Sequence, residues 1–170
     1  MTPMRRALPI LALLALGACA SVDTAPDAAT PAPGASSGAP QPIAGYDWFF
    51  HDDDSLTLVY GLANSDDVRL SLGCQPGEGR LEMIRDAPAD APAEIYLESG
   101  GETERYPAKS EPSMMTDGQL LSAEADAGDP VFQRFRTVGW LALCHEGERD
   151  ALVPHPDSVD GVERFFSRCG

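Results

Sequence analysis

Cys144 and His145 are the two adjacent residues that come nearest to a catalytic arrangement, because a thiolate beside an imidazole base is a nucleophile. Cys144 ends residues 140–144, whose apolar run predicts a β-strand, and His145 follows it directly. Neighbouring residues on a strand point to opposite faces, so this thiol and this imidazole cannot share a hydrogen bond. We therefore expect no cysteine nucleophile at this position.

Residues 51–54, with the sequence His-Asp-Asp-Asp, carry side chains that bind hard or borderline cations. The segment lacks the alternating acidic residues and the glycine of a calcium loop, and no second histidine follows at helical or short-strand spacing. We interpret it as a solvated turn between strands and predict no metal site and no cofactor. The abundant carboxylates leave a glycosidase-type pair open, but their spacing selects no two of them.

A short apolar leader precedes the first cysteine. Arg5 and Arg6 form a basic start, and residues 8–16 form an apolar run that is too short to span a bilayer as a mature helix. Small residues then lead to Cys19. This order of basic, apolar and small residues predicts export from the cytoplasm.

The leader ends in Leu-Gly-Ala-Cys at residues 16–19, which resembles the lipobox of bacterial lipoproteins. The resemblance covers residues 1–19 and implies cleavage after Ala18, so that residues 1–18 are a signal peptide. It also implies that Cys19 receives a diacylglycerol on its thiol and an acyl chain on its new amine. Several chains on one cysteine hold a protein firmly, since each buried methylene contributes about 0.8 kcal/mol. The expected location is the bacterial outer membrane, facing the periplasm.

The three remaining cysteines, Cys74, Cys144 and Cys169, would then lie in an oxidising compartment. Three thiols allow one bridge and leave one residue over. Cys74 ends a predicted strand, and Cys169 ends a terminal helix whose last turn has little else to hold it. We therefore predict a disulfide between Cys74 and Cys169, with Cys144 as a small buried residue. A bridge between Cys144 and Cys169 is the alternative.

Residues 19–44 separate the lipidated cysteine from the rest of the chain. They are rich in proline, alanine, serine and glycine and show no apolar periodicity, so burial cannot offset their ordering entropy. We predict a disordered tether with a reach of roughly 25–30 Å. Residues 45–170 are then one globular domain of ordinary size.

The mature chain is strongly acidic. Removal of the leader leaves 10 basic and 27 acidic residues, a net charge of −17. Such a charge disfavours nucleic acid and anionic lipid surfaces and attracts cationic partners. We therefore expect no nucleic-acid partner, while a basic protein remains a candidate.

The globular domain shows the apolar alternation of short β-strands separated by turn residues. Strands are predicted at residues 56–60, 68–73, 80–85, 93–98, 102–106, 119–124 and 140–144. Helices are predicted at residues 130–138, after Asp129 and before Gly139, and at residues 158–169. The expected fold is mainly β: an antiparallel sandwich or barrel with two short covering helices.

The hairpin turn near residues 99–106 carries a faint functional signal. Ser99, Gly100 and Tyr106 combine a Ser-Gly turn with a nearby tyrosine. This is similar to lipoprotein inhibitors of c-type lysozyme, which insert a loop with serine, glycine and tyrosine into the enzyme cleft. The spacing is longer here and the second loop of that family is absent. An ordinary hairpin turn is the alternative interpretation.

These observations favour a lipid-anchored periplasmic envelope protein with a non-enzymatic binding or structural role. Its partners would be the membrane, through the Cys19 anchor, and a protein of basic charge. Inhibition of a cationic hydrolase such as c-type lysozyme is one alternative, and a hydrolase with unidentified carboxylates is another. Carriage of a small ligand in the β core is the remaining alternative, and a large apolar cavity would favour it.

Overall fold

A computed structural model describes residues 40–170, which form ten β-strands and two α-helices. The predicted signal peptide, Cys19 and most of the predicted tether lie outside the described residues. The strands are β1 (Tyr46–Asp52), β2 (Leu56–Leu62), β3 (Val68–Cys74), β4 (Arg80–Ala87), β5 (Glu94–Ser99), β6 (Glu102–Pro107), β7 (Lys109–Pro112), β8 (Gln119–Asp126), β9 (Leu141–His145) and β10 (Glu148–Leu152). The helices are α1 (Pro130–Val138) and α2 (Val159–Cys169).

The strands form two antiparallel sheets. The first sheet has the order β1-β2-β3-β4-β8-β7, and the second has the order β10-β9-β5-β6. Strands β1 to β4 are an antiparallel meander, in which each strand pairs with the next along the chain. Strand β8 pairs with β4 over the whole length of both strands and so extends the first sheet after the chain has left to build the β5–β6 hairpin.

A single main core lies between the sheets. Leu72 and Met83 of the first sheet and Leu97 and Leu143 of the second belong to one buried apolar cluster. Burial of a leucine-sized side chain contributes about 1.5–3 kcal/mol, so this alternation decides which face of each strand points inward. The predicted mainly-β antiparallel fold with two short helices is confirmed, in the form of a sandwich.

Both helices add aromatic side chains to that core. Helix α1 begins with Pro130 and ends at Gly139, whose φ of 78° is the left-handed conformation that glycine adopts most easily. Phe135 of α1 packs on Trp48 of β1, with ring centroids 5.4 Å apart, and on Phe166 of α2. The helices therefore close the sandwich beside strands β1, β5 and β6.

Three strands, β1, β7 and β10, are not among those predicted from the sequence, and all three are sheet edges. Strand β7 has four exposed residues and includes Lys109, and β10 begins with the charged residues Glu148 and Arg149. Charged side chains are common on edge strands because they discourage pairing with another chain. Such strands lack the apolar alternation on which a prediction depends.

Cys74 and Cys169 are the cysteine pair at disulfide-bonding distance, with Cα atoms 6.0 Å apart. The bridge joins the end of β3 to the last turn of α2, which is the pairing preferred from the sequence. Cys144 is the free cysteine and is buried. The bridge thus fixes the terminal helix at one end of the first sheet, and the start of β3 lies at the opposite end.

Candidate binding cleft at the mouth of the sandwich

The sandwich is open where β3 begins and where β4 and β9 end. We call this end the mouth and define it by Arg85, Leu143, His145 and Asp150, which line one cleft. Its polar side chains come from three strands of both sheets. The mouth is therefore a product of the tertiary fold and not of one sequence motif.

Arg85 points toward the interior of the sandwich. On β4 it alternates in phase with the buried residues Leu81 and Met83. Its cross-strand partner on β8 is Leu121, which is also buried. The position would normally hold an apolar residue, yet here it places a guanidinium at the end of the core.

His145 and Asp150 face the same interior from the second sheet. His145 is in phase with the buried Leu141 and Leu143 on β9, and Asp150 pairs directly with Leu143. The Nδ1 atom of His145 is buried without a hydrogen-bond partner, and its Nε2 atom lies 3.8 Å from the carboxylate of Glu148. His145 thus holds an unsatisfied polar atom next to the cavities of the mouth, and an imidazole nitrogen can donate or accept a hydrogen bond.

The Arg85 guanidinium has no ionic partner within residues 40–170. Its one hydrogen bond within the domain runs from Nε to the carbonyl oxygen of Asp86, at 3.1 Å, and no carboxylate of these residues lies within 4.0 Å. Burial lowers the pKa of Arg85 below its usual value, and the charge of Asp150 partly opposes this effect. The group remains a cation at neutral pH because the unperturbed pKa is so high.

Two adjoining cavities open at the mouth, and Arg85 and His145 line both of them. The wide cleft has a volume of about 580 Å³, and the narrow pocket has about 260 Å³. The narrow pocket is mainly apolar. Its lining combines carbon-rich residues with the polar residues Glu94, Cys144 and Glu146; the carbon-rich ones are Ala87, Pro88, Ala91, Pro92, Tyr96 and Leu121.

The other arginine of the wide cleft, Arg69, is already paired. Its Nε atom lies 3.2 Å from Asp67, and its Nη2 atom donates to the hydroxyl of Tyr46 at 3.0 Å. Asp86 in turn accepts a hydrogen bond from Ser113 at 3.0 Å. Arg85 is thus the cation of the mouth whose charge the described chain leaves unpaired.

The predicted partner-binding loop has its hydroxyl groups inside the domain. The Ser99 hydroxyl donates to the carbonyl oxygen of Trp140 at 2.8 Å, and the side chain is buried. The Tyr106 hydroxyl lies 3.1 Å from carboxylate oxygens of both Glu104 and Asp129, and burial raises the pKa of this tyrosine. Gly100 forms the exposed turn itself, with φ 62°. Neither Ser99 nor Tyr106 therefore offers an exposed hydroxyl through which this loop could bind a lysozyme.

Cys144 belongs to a separate group on the outer face of the second sheet. Its Sγ atom lies 3.7 Å from Oε2 of Glu98, which is fully buried. The same oxygen lies 2.9 Å from Nε of Arg149, and the Arg149 guanidinium lies 4.6 Å from the ring centroid of Trp140. We call Glu98, Trp140, Cys144 and Arg149 the outer cluster.

Burial and the neighbouring Glu98 carboxylate raise the pKa of the Cys144 thiol to about 12. The thiol therefore stays protonated at neutral pH, whereas a nucleophilic cysteine needs a lowered pKa. His145, the next residue, points to the core side of the strand, as the alternation rule predicts.

The acidic segment at residues 51–54 lies where β1 ends. Asp52 forms an ion pair with Arg168 of α2. Across the whole described part of the chain, no three histidine, cysteine, aspartate or glutamate side chains converge as metal ligands. Neither of the two helices described above is long and apolar enough to cross a membrane.

No protein-family model matches this chain, and no curated protein or solved structure shows a significant match to it. The candidate site consequently depends on its geometry alone. Arg85 was not among the site residues predicted from the sequence, although a signal was present: an arginine in phase with Leu81 and Met83 is a cation placed on a core face. The same reasoning applies to His145, two residues after the apolar Leu143.

Proposed function

We propose that this protein is a non-enzymatic binding module that takes a small molecule at the mouth of its sandwich. We further propose that lipid on Cys19 holds it at the bacterial outer membrane, facing the periplasm. The observation that carries the binding role is the inward guanidinium of Arg85, unpaired within the described chain and placed between two cavities. Small-molecule sites typically combine an apolar cavity with a few converging polar groups.

Binding fits the chemistry of the mouth better than catalysis does. Nucleophilic catalysis requires an activated side chain with a base in hydrogen-bond reach. The buried thiol of Cys144 has a pKa of about 12 and contacts Glu98, so it stays protonated and is not an activated nucleophile. Arg85, with its permanent charge and its position above an apolar pocket, suits recognition of a ligand.

Mouth binding can be tested on the mature chain carrying Cys19→Ser, exported with an ordinary cleavable leader. Fragment mixtures of acidic, basic and neutral compounds are added, and backbone amide shifts are followed by NMR. We expect shifts at Ala87, Leu121 and His145. Ala91→Trp should reduce them by filling the narrow pocket, and Ala93→Trp, at an exposed neighbouring position, is the matched control. The proposal is wrong if no fragment of any charge perturbs these residues.

The membrane anchor is tested separately, in intact cells. Wild-type protein should incorporate a labelled fatty acid and sediment with membranes, and Cys19→Ser should do neither. Cys144→Ala is the matched control, because it removes a thiol that lies buried in the folded domain. Equal labelling and equal sedimentation of wild type and Cys19→Ser would overturn the anchor while leaving the binding role unaffected.

A further inference from the structure

We infer that the ligand of the mouth is a small monocarboxylic acid with an apolar body of about eight to ten non-hydrogen atoms. This inference rests on the proposed function and specifies its ligand. It joins three observations: an unpaired guanidinium, an adjoining apolar pocket of defined size, and carboxylates around the wider cleft. Each observation restricts a different property of the ligand.

The guanidinium selects an anion. A planar arginine side chain binds a carboxylate through two parallel charge-assisted hydrogen bonds, which are shorter and stronger than neutral ones. Arg85 uses Nε on the carbonyl oxygen of Asp86, and its terminal nitrogens have no hydrogen-bond partner among residues 40–170. The buried and unpartnered Nδ1 atom of His145 adds a second polar group beside the same cavities.

The narrow pocket selects an apolar body of limited length. Its volume is about 260 Å³. A water molecule occupies about 30 Å³ in the liquid, so the pocket holds roughly nine groups of that size. The methyl, methylene and ring carbons of Ala87, Ala91 and Leu121 can shield an aliphatic or aromatic chain from water.

The wide cleft selects against further negative charge. Asp66, Asp86 and Asp150 line it, and the mature chain carries a net charge of −17. A dianion such as a phosphate monoester would bring its second charge toward these carboxylates. A ligand with a single negative charge can place that charge on Arg85 and the rest of its surface in the apolar pocket. A cationic ligand would be repelled by the unpaired guanidinium.

Three probes of equal chain length test the class: octanoate, octanol and octylammonium, each titrated by NMR into the mature chain carrying Cys19→Ser. We expect octanoate to bind at least tenfold more tightly than the other two. Arg85→Gln should weaken octanoate binding by about ten- to a hundredfold, because a hydrogen bond to a charged group contributes about 1.5–3 kcal/mol. Binding of octanol should change by less than about threefold.

Arg80→Gln is the matched control, since it makes the same exchange at an exposed position at the other end of β4. It should leave all three affinities unchanged. The three affinities can be compared on the protein with Arg85 intact, so the ligand class is tested even if Arg85→Gln fails to fold. If octanol or octylammonium shifts the mouth residues as strongly as octanoate does, the ligand class is wrong and mouth binding survives. If no probe or fragment shifts these residues, the proposed function fails as well.

Discussion

Two arginines in this domain have opposite surroundings. Arg149, in the outer cluster, contacts the fully buried carboxylate of Glu98 and stacks on Trp140. Arg85, at the mouth, has neither a carboxylate within 4.0 Å among residues 40–170 nor an aromatic cover. The Arg149 side chain is largely buried and Arg85 is half-buried, and the two guanidinium groups differ most in what each one faces.

The comparison separates a structural cation from one that is available for binding. A buried charge is tolerated when a partner and hydrogen bonds compensate its lost hydration. Glu98 provides the ionic partner of Arg149, whereas Arg85 depends on solvent or a ligand. Proteins break such local rules mainly at functional sites. The two positions should therefore respond differently when each is made apolar.

The largest effect is expected from Arg149→Met. The change leaves the Glu98 carboxylate buried without its cation, and removal of one partner of a buried pair lowers the free energy of unfolding by about 3–5 kcal/mol. Urea denaturation of the purified domain measures this. Arg105→Met is the control: its pair with Glu94 is exposed, so its loss should cost less than about 1 kcal/mol. If both variants lose the same small amount of unfolding free energy, the prediction is wrong and Arg149 contributes no more than a surface residue does.

The raised pKa of Cys144 gives the next effect. The thiol loses its proton near pH 9 in the unfolded chain and near pH 12 in the folded one, so the unfolded state holds fewer protons between these values. Stability that is fully present below pH 9 is therefore lost as the pH rises toward 12. At pH 11 the loss amounts to about 2–3 kcal/mol.

Cys144→Ala removes this group and tests its share of the pH dependence. Denaturation at pH 8 and pH 11 should show a steeper loss for the wild type than for the variant. Tyr60, whose pKa is raised to about 12, adds an alkaline loss that is common to both proteins. Parallel losses in the two proteins would mean that the thiol ionises as easily in the fold as in the unfolded chain.

Sequence patterns predicted most of the framework around these two arginines. The apolar alternation in residues 80–85 predicted β4. The proline at the start and the glycine after the end of residues 130–138 predicted α1. The pairing of β4 with β8 could not be predicted, because the 31 residues 88–118 separate the two strands and no local signal records which strands become neighbours. The mouth depends on that partnership and on the packing of the second sheet, so its residues converge only in the folded chain.

The sequence around the two arginines also does not show which one is paired. Arg149 lies in β10, a charged edge strand without apolar alternation, and its partner Glu98 is some fifty residues earlier. Arg85 ends the predicted strand 80–85, where a basic residue is equally compatible with a solvated terminus. The difference is set by which side chains from other strands face each guanidinium. That information is held in tertiary structure.

A smaller effect is expected when both members of the buried pair become apolar. Although the charges are in contact, Oε1 of Glu98 and both Nε and Nη2 of Arg149 lack a hydrogen bond of good geometry, so the pair compensates its lost hydration only in part. The combined variant Glu98→Leu with Arg149→Met should lie within about 1 kcal/mol of the wild type in urea denaturation. If its loss equals the sum of the two single losses, the residues act independently and the outer cluster is not a coupled unit.

The smallest change in stability is expected from Arg85→Met, and its sign is the sharpest part of the comparison. An apolar side chain in phase with Leu81 and Met83 removes a half-buried charge without an ionic partner from a core face, so the free energy of unfolding should rise by about 0.5–1 kcal/mol. Arg80→Met, at the exposed end of the same strand, should change it by less than about 0.5 kcal/mol.

Urea denaturation and an octanoate titration on one preparation of Arg85→Met measure its stability and its binding. A variant that is more stable and binds octanoate more weakly shows that Arg85 is retained for its ligand at a cost in stability. A variant that is clearly less stable instead shows that Arg85, like Arg149, has a structural partner.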